Sequence, residues 1–165
     1  MGIGRISKHL VEHRWRVRRL FPRRVLAAIE QAIKVGETTH SGQLRFVVEG
    51  ALDGAALFRD QPARERALDV FAQLRIWDTI HNNGVLIYLL LADRNVEIVA
   101  DRGIDAKVTA AGWEKICVGM ENDFKAGKFE SGVIRGIEAV SRQLARYFPA
   151  RGKGPNELPD APLVI

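Results

Sequence analysis

The chain has 165 residues, 47% hydrophobic and 27% charged, enough for one domain with a real core. Its single cysteine, Cys117, excludes an internal disulfide and a cysteine-rich zinc centre, and no apolar run reaches the ~20 residues of a membrane-crossing helix. The net charge of +5 is unevenly placed: residues 1–24 hold eight basic residues against one acid, the remainder 17 basic against 19 acidic.

Residues 1–21 read as a basic arm. Ile3, Ile6, Leu10 and Val17 fall near one helical face, with Trp15 beside it. Charges recur from Ile3 to Phe21, so no signal peptide is expected and the default compartment is the cytoplasm. Such an arm fits an anionic membrane surface, an acidic protein or nucleic-acid phosphates, and equally a solvated helix. Pro22 suits the first turn of a helix from Arg23 to Val35, striped by Val25, Leu26, Ile29 and Ile33 and ended by Gly36. Ser41-Gly42 turns the chain into a strand, Gln43–Glu49. After a loop, Asp60 is placed to cap a helix over 61–75, with Pro62 in its first turn.

Val85–Leu91 is uncharged and flanked by Asn83-Gly84 and Asp93. Its length and composition predict a strand buried on both faces. Asp93-Arg94-Asn95 reads as a turn, and Val96–Ala100 as a strand pairing back, with Glu97 marking a partly exposed edge. The order strand, helix, buried strand predicts that 43–49 and 84–91 run parallel. Thr109 and Ser131 are candidate caps for two final helices. Trp113, Ile116, Cys117, Met120 and Phe124 stripe the first; Val133, Ile137, Val140, Leu144 and Phe148 stripe the second. Cys117 on that stripe reads as a structural thiol, and Trp77 as a plug for the helix-to-strand turn. Residues 150–165 read as an irregular tail after a domain spanning 22–149. The expected architecture is α/β: an α/β/α sandwich with a small mixed sheet and helices on both faces.

Several stretches together resemble the TPM domain family, which includes thylakoid-lumen phosphatase-like and bacterial YgcG-type proteins. They are Asn83–Leu91, Ile98-Val99-Ala100-Asp101-Arg102-Gly103-Ile104, Phe124–Phe129 and Gly132–Ile137, and the likeness runs from about Arg23 to Phe148. The resemblance implies an α/β/α sandwich, acid phosphatase activity in some members and calcium binding in others. Many members are exported or membrane-anchored, whereas this sequence shows neither a signal nor an anchor.

Two sheet edges are candidates for chemistry. One gathers Asp78, Thr79, Asn82, Asn83, Asp101 and Arg102, because an antiparallel hairpin sets the start of one strand beside the end of the other. Asp78, Asn83 and Asp101 supply oxygens that suit a hard cation, Ca²⁺ or Mg²⁺. A cation there would assist phosphomonoester hydrolysis, with Asp78 and Asp101 as catalytic carboxylates and Arg102 holding phosphate. The same residues also make turns and helix caps. The other edge holds Glu49, Asp53, Asp93 and Arg94 at the carboxyl ends of the parallel strands, where open α/β sheets commonly bind ligands. His9-Leu10-Val11-Glu12-His13 matches H-x-x-E-H, but it sits in the basic arm, which repels Zn²⁺. His40 and His81 read as surface loop histidines. Phosphate-loop, dinucleotide and nucleophile-elbow motifs are absent, and the tryptophans offer no base-stacking platform, so nucleic-acid binding would rest on the arm alone. The alternative to an enzyme is an interaction module docking through that arm.

Overall fold

Strand β2 (Gly84–Leu90) is buried at every position, as its uncharged sequence requires. The structure, a computed structural model, describes residues 14–52, 59–152 and 154–165. The arm before residue 14, including His9, Glu12 and His13, and Asp53 of the second edge lie outside the described residues. β1 (Gln43–Glu49) runs parallel to β2, with Gln43 opposite Gly84 and Glu49 opposite Leu90. β3 (Asn95–Ala100) runs antiparallel on the other side, with Val85 opposite Ala100. The parallel pair and the hairpin are therefore as predicted.

Pleating sends alternate residues of the sheet into two cores. Leu44, Phe46, Val85, Ile87 and Ile98 face one layer of helices. That layer comprises α1 (Arg14–Leu20), α2 (Arg23–Glu37), α5 (Ala110–Lys125) and α6 (Phe129–Tyr147). Val47, Leu86, Tyr88, Leu90 and Val99 face the other, where Ala67 and Val70 of α3 (Ala63–Gln73) pack. A short helix, α4 (Arg102–Asp105), follows β3. The result is an α/β sandwich around a four-stranded mixed sheet. Among the described residues no helix is long and apolar enough to cross a membrane.

The ends of the domain differ from the sequence reading. The later part of the arm joins the core: Val17 and Phe21 are buried, and the Phe21 ring meets Phe46 and Phe129. The tail is not irregular throughout. Leu163–Val164 forms β4, pairing parallel with Val47 and Val48, so the sheet order is β3-β2-β1-β4. Two residues are too short a run for periodicity to reveal, and what holds them is tertiary. The Arg45 guanidinium donates to the carbonyls of Pro159 and Ala161, both at 2.5 Å, and the Gln43 Oε1 accepts from the amides of Glu157 and Leu158.

Three local expectations also fail. Asp60 does not cap α3; it takes a left-handed turn (φ 54°), and Pro62 stands at the cap position. Ser131 lies inside α6, which starts at Phe129, because Gly127 (φ 76°) turns the chain and Phe129 stacks on Phe124 at 5.1 Å. Trp77 does not plug the turn before β2. It is about half exposed beneath the Arg75 guanidinium, and Ile76 is the fully buried residue there.

Gly84 shows how tightly that turn closes: a methyl group there would run into the Ile76 carbonyl oxygen. Backbone cannot step aside as a flexible side chain can. Gly84→Ala is expected to destabilise the fold by about 1–3 kcal/mol. A urea midpoint unchanged by the substitution would contradict the close approach.

Candidate functional site

The β2–β3 ladder ends, at the side away from its turn, where Asp101 donates its amide to the Gly84 carbonyl at 2.9 Å. That bond sets Asp101 one residue away from Asn83, so these two sequence-predicted residues share an edge. Asn83 is wholly buried. Its amide donates to Thr79 Oγ1 at 3.1 Å and its side-chain Nδ2 to the Ser41 carbonyl at 3.2 Å. Its Oδ1 is buried with no hydrogen-bond partner. Asp101, also buried, caps α4: its Oδ1 accepts from the Arg102 amide at 2.7 Å, while Oδ2 is buried and unpartnered. An unanswered oxygen in a protein interior costs about 1–3 kcal/mol, so two on one edge call for an explanation.

The backbone around them is crowded. A methyl group at Gly103 would lie 2.5 Å from the Asn82 carbonyl oxygen and 2.8 Å from that of His81. Two main-chain oxygens thus border the first turn of α4. Arg102 is exposed and donates through Nε to Asn82 Oδ1 at 3.4 Å. Asp78 stands apart from this group in its bonding. Its carboxylate is exposed and paired with Arg75 at 2.7 Å. An exposed pair of this kind is worth at most about 1 kcal/mol, so the carboxylate is easily released. Among the described residues no group of three or more His, Cys, Asp or Glu side chains is placed to hold a metal ion. A cation here would depend on amide and carbonyl oxygens as well as on carboxylate, which is donor chemistry that a hard ion accepts.

Beside this edge lies a groove of 650 Å³ that the sequence did not disclose. Glu37, His40, Ser41 and Gln43 form part of one wall; Ile80, His81 and the strap at 154–157 form others. The Glu157 carboxylate accepts the Ile80 amide at 3.0 Å and ties the strap to the loop before β2. His40 is not a surface histidine. It is buried, and its Nδ1 lies 3.0 Å from the Gly42 carbonyl. A carbonyl only accepts, so Nδ1 carries the proton and Nε2 is left bare and unpartnered. Burial pulls its pKa down to about 4. Glu37 moves the other way. Burial, and Asp160 just beyond the strap, push its carboxyl up to about 7. Neither residue belongs to a motif; both are set by the strap and by the end of α2, which local patterns do not encode.

At the second edge Asn95 Oδ1, on the first residue of β3, is buried and unpartnered, whereas Glu49 is answered. Glu49 accepts two bonds from Arg66, at 2.8 and 3.1 Å, and one from the Tyr88 hydroxyl at 2.6 Å. Arg94, in a left-handed conformation (φ 51°), turns the β2–β3 hairpin. Cys117 is half-buried, and burial pushes its thiol up to about 12, which suits a structural role.

A four-stranded mixed sheet between helical layers, with its conspicuous polar features at the Asn83–Asp101 edge, defines a small α/β sandwich class. The TPM domain profile matches residues 18–143, and the chain belongs to that family. It is similar to the NMR structure of the BA42 protein from the psychrophilic bacterium Bizionia argentinensis. The two share 32% identity over 86% of this chain and 93% of that one, with a TM-score of 0.74. The N-terminal domain of a protein from P. gingivalis shares the fold at 21% identity and a TM-score of 0.56, over 72% of each chain. No curated protein matches the chain.

The two shifted groups set opposite pH dependences. Glu37, raised above its ordinary 4.5, contributes stability that is full below pH 4.5 and is lost as pH rises toward 7. His40, lowered from 6.5, contributes stability present above pH 6.5 and lost as pH falls toward 4. Glu37→Gln is therefore expected to remove a decline in urea midpoint between pH 4.5 and 7. The same decline in the variant would show that Glu37 is not its source.

Proposed function

We propose that this TPM domain binds a divalent cation, Ca²⁺ or Mg²⁺, at the Asn83–Asp101 edge, and uses it to handle phosphate esters. The reading is carried by one observation: Asn83 Oδ1 and Asp101 Oδ2 are buried and unpartnered at the open end of the hairpin. An oxygen in that condition is stabilised by a ligand that accepts its lone pairs, and a hard cation does so without any rearrangement of the backbone.

In this reading Asp101 supplies the anionic ligand and Asn83 a neutral one. Asp78 joins from the rim once it leaves Arg75. Water completes the shell. With so few carboxylates the site is a weak one, of the class with Kd about 10⁻⁴–10⁻³ M. The bound ion would polarise a phosphoryl oxygen. Arg102, on the exposed side and steadied by Asn82, orients the phosphate by charge-assisted bonds. Asp78 and Asp101 are then the catalytic carboxylates of a slow phosphomonoesterase.

Titration of the labelled protein with Ca²⁺ or Mg²⁺ is expected to move the amide resonances of Asn83, Gly84, Asp101 and Arg102, saturating near millimolar metal. Asp101→Asn keeps the helix cap but weakens binding at least tenfold. Hydrolysis of p-nitrophenyl phosphate should fall in that variant and depend on the metal. Unmoved resonances at Asn83 and Asp101 in saturating metal would remove the site. Shifts without turnover would leave a binding domain and remove the enzyme.

A further inference from the structure

A second surface lies away from that edge, where α1 meets α2. We propose that this corner, together with the α5–α6 turn, docks on an anionic lipid membrane.

The segment 14–24 contains six arginines and no acid. Helix α1 is held by Val17 and Phe21, which are buried one helical turn apart. At 100° per residue, Trp15, Arg18 and Arg19 then share the outward face. All three are exposed, as is Arg23 at the start of α2. The Arg19 guanidinium lies 6.0 Å from the centre of the Trp15 ring. The Phe21–Phe129 edge contact, at 6.2 Å, pins the start of α6 to this corner and brings exposed Lys128 beside it. Arg19, Arg24 and Lys128 line one groove of 440 Å³ between the two parts. Arg24 is answered by Glu130 at 3.0 Å; Arg18 and Arg23 have no carboxylate partner among the described residues.

The composition of the patch selects the partner. A large aromatic ring left more than half exposed beside a cluster of arginines serves a surface that is anionic at its boundary and apolar beneath. Tryptophan sits at that depth, and arginine guanidinium groups reach lipid phosphates. A nucleic acid would also satisfy the charge, but a single exposed ring provides no platform for successive bases. A folded helix with two buried anchors presents this face rigidly, so docking needs no folding step.

The test uses the full chain and vesicles of phosphatidylcholine, alone or mixed with phosphatidylglycerol. Binding is expected only to the anionic vesicles, with a blue shift in tryptophan emission and progressive loss as salt rises. The triple substitution R18Q/R19Q/R23Q is expected to lower the partition coefficient on the order of a hundredfold, and R19Q alone about fivefold. These positions are exposed, and unchanged circular dichroism confirms the fold. Trp15→Ala is expected to abolish the blue shift. Inorganic phosphate at millimolar concentration should not compete, whereas competition would mean that the corner takes a free anion. No anionic-vesicle binding, or binding equal in the triple variant, overturns the proposal. Tighter binding to a single-stranded RNA than to vesicles, lost in the same variant, overturns it in favour of nucleic acid.

Discussion

Enclosure of β2 on both faces is the constraint from which the remaining features follow. Seven successive residues without exposure must be covered by a helical layer on each side and by a strand on each edge. Burying a Leu or Ile side chain is worth about 1.5–3 kcal/mol, so this one strand is a large share of the driving force. It also demands that every backbone group on it be paired, which β1 and β3 accomplish from opposite sides. The strand can begin only where its flanking polar residues find partners. At Gly84 it starts against the Ile76 carbonyl and beside Asp101, and it is there that two oxygens are left over.

The two ends of the parallel pair illustrate different uses of buried polarity. At the carboxyl end Glu49, Arg66 and Tyr88 answer one another fully. The Tyr88 hydroxyl is pushed upward by burial and by the Glu49 charge, so it stays protonated as a donor. Such a network rigidifies the sheet and needs no ligand. At the amino end the polar groups bind backbone and still have capacity to spare: Asn83 holds Ser41 and Asp101 caps α4, yet each keeps one free oxygen. General topology favours the carboxyl end for ligands, whereas the unpartnered oxygens favour the amino end, where an amide and a carboxylate oxygen stand against the single amide oxygen of Asn95. The second consideration decides, because it concerns these atoms and not the fold class.

Most of the scaffold was legible from the sequence because its signals are local and strong. Seven uncharged residues, a hairpin turn and stripes at helical spacing leave few alternatives. The parallel pairing of β1 and β2 followed from connectivity. What escaped notice is held by contacts distant in sequence. The tail reaches β1 through Arg45 and Gln43, more than a hundred residues away, and no pattern within 150–165 announces it. His40 looked like a loop residue, yet a bridge to Pro149 places it in the interior. At the site itself, the neighbourhood of Asn83 and Asp101 was readable from the hairpin. The pairing of Asp78 with Arg75 was not, since a left-handed Arg75 (φ 53°) turns that segment toward solvent.

The central claim is that the residual oxygens at the start of β2 are ligands. A crystal soaked in Mn²⁺, an anomalous scatterer that accepts the same oxygen donors, locates the ion directly. An anomalous peak within about 2.6 Å of Asp101 Oδ2, with Asn83 Oδ1 in the same shell, is the result that these geometries require. A peak beside Glu49 and Asp93 instead, or none near either edge at saturating metal, would contradict it.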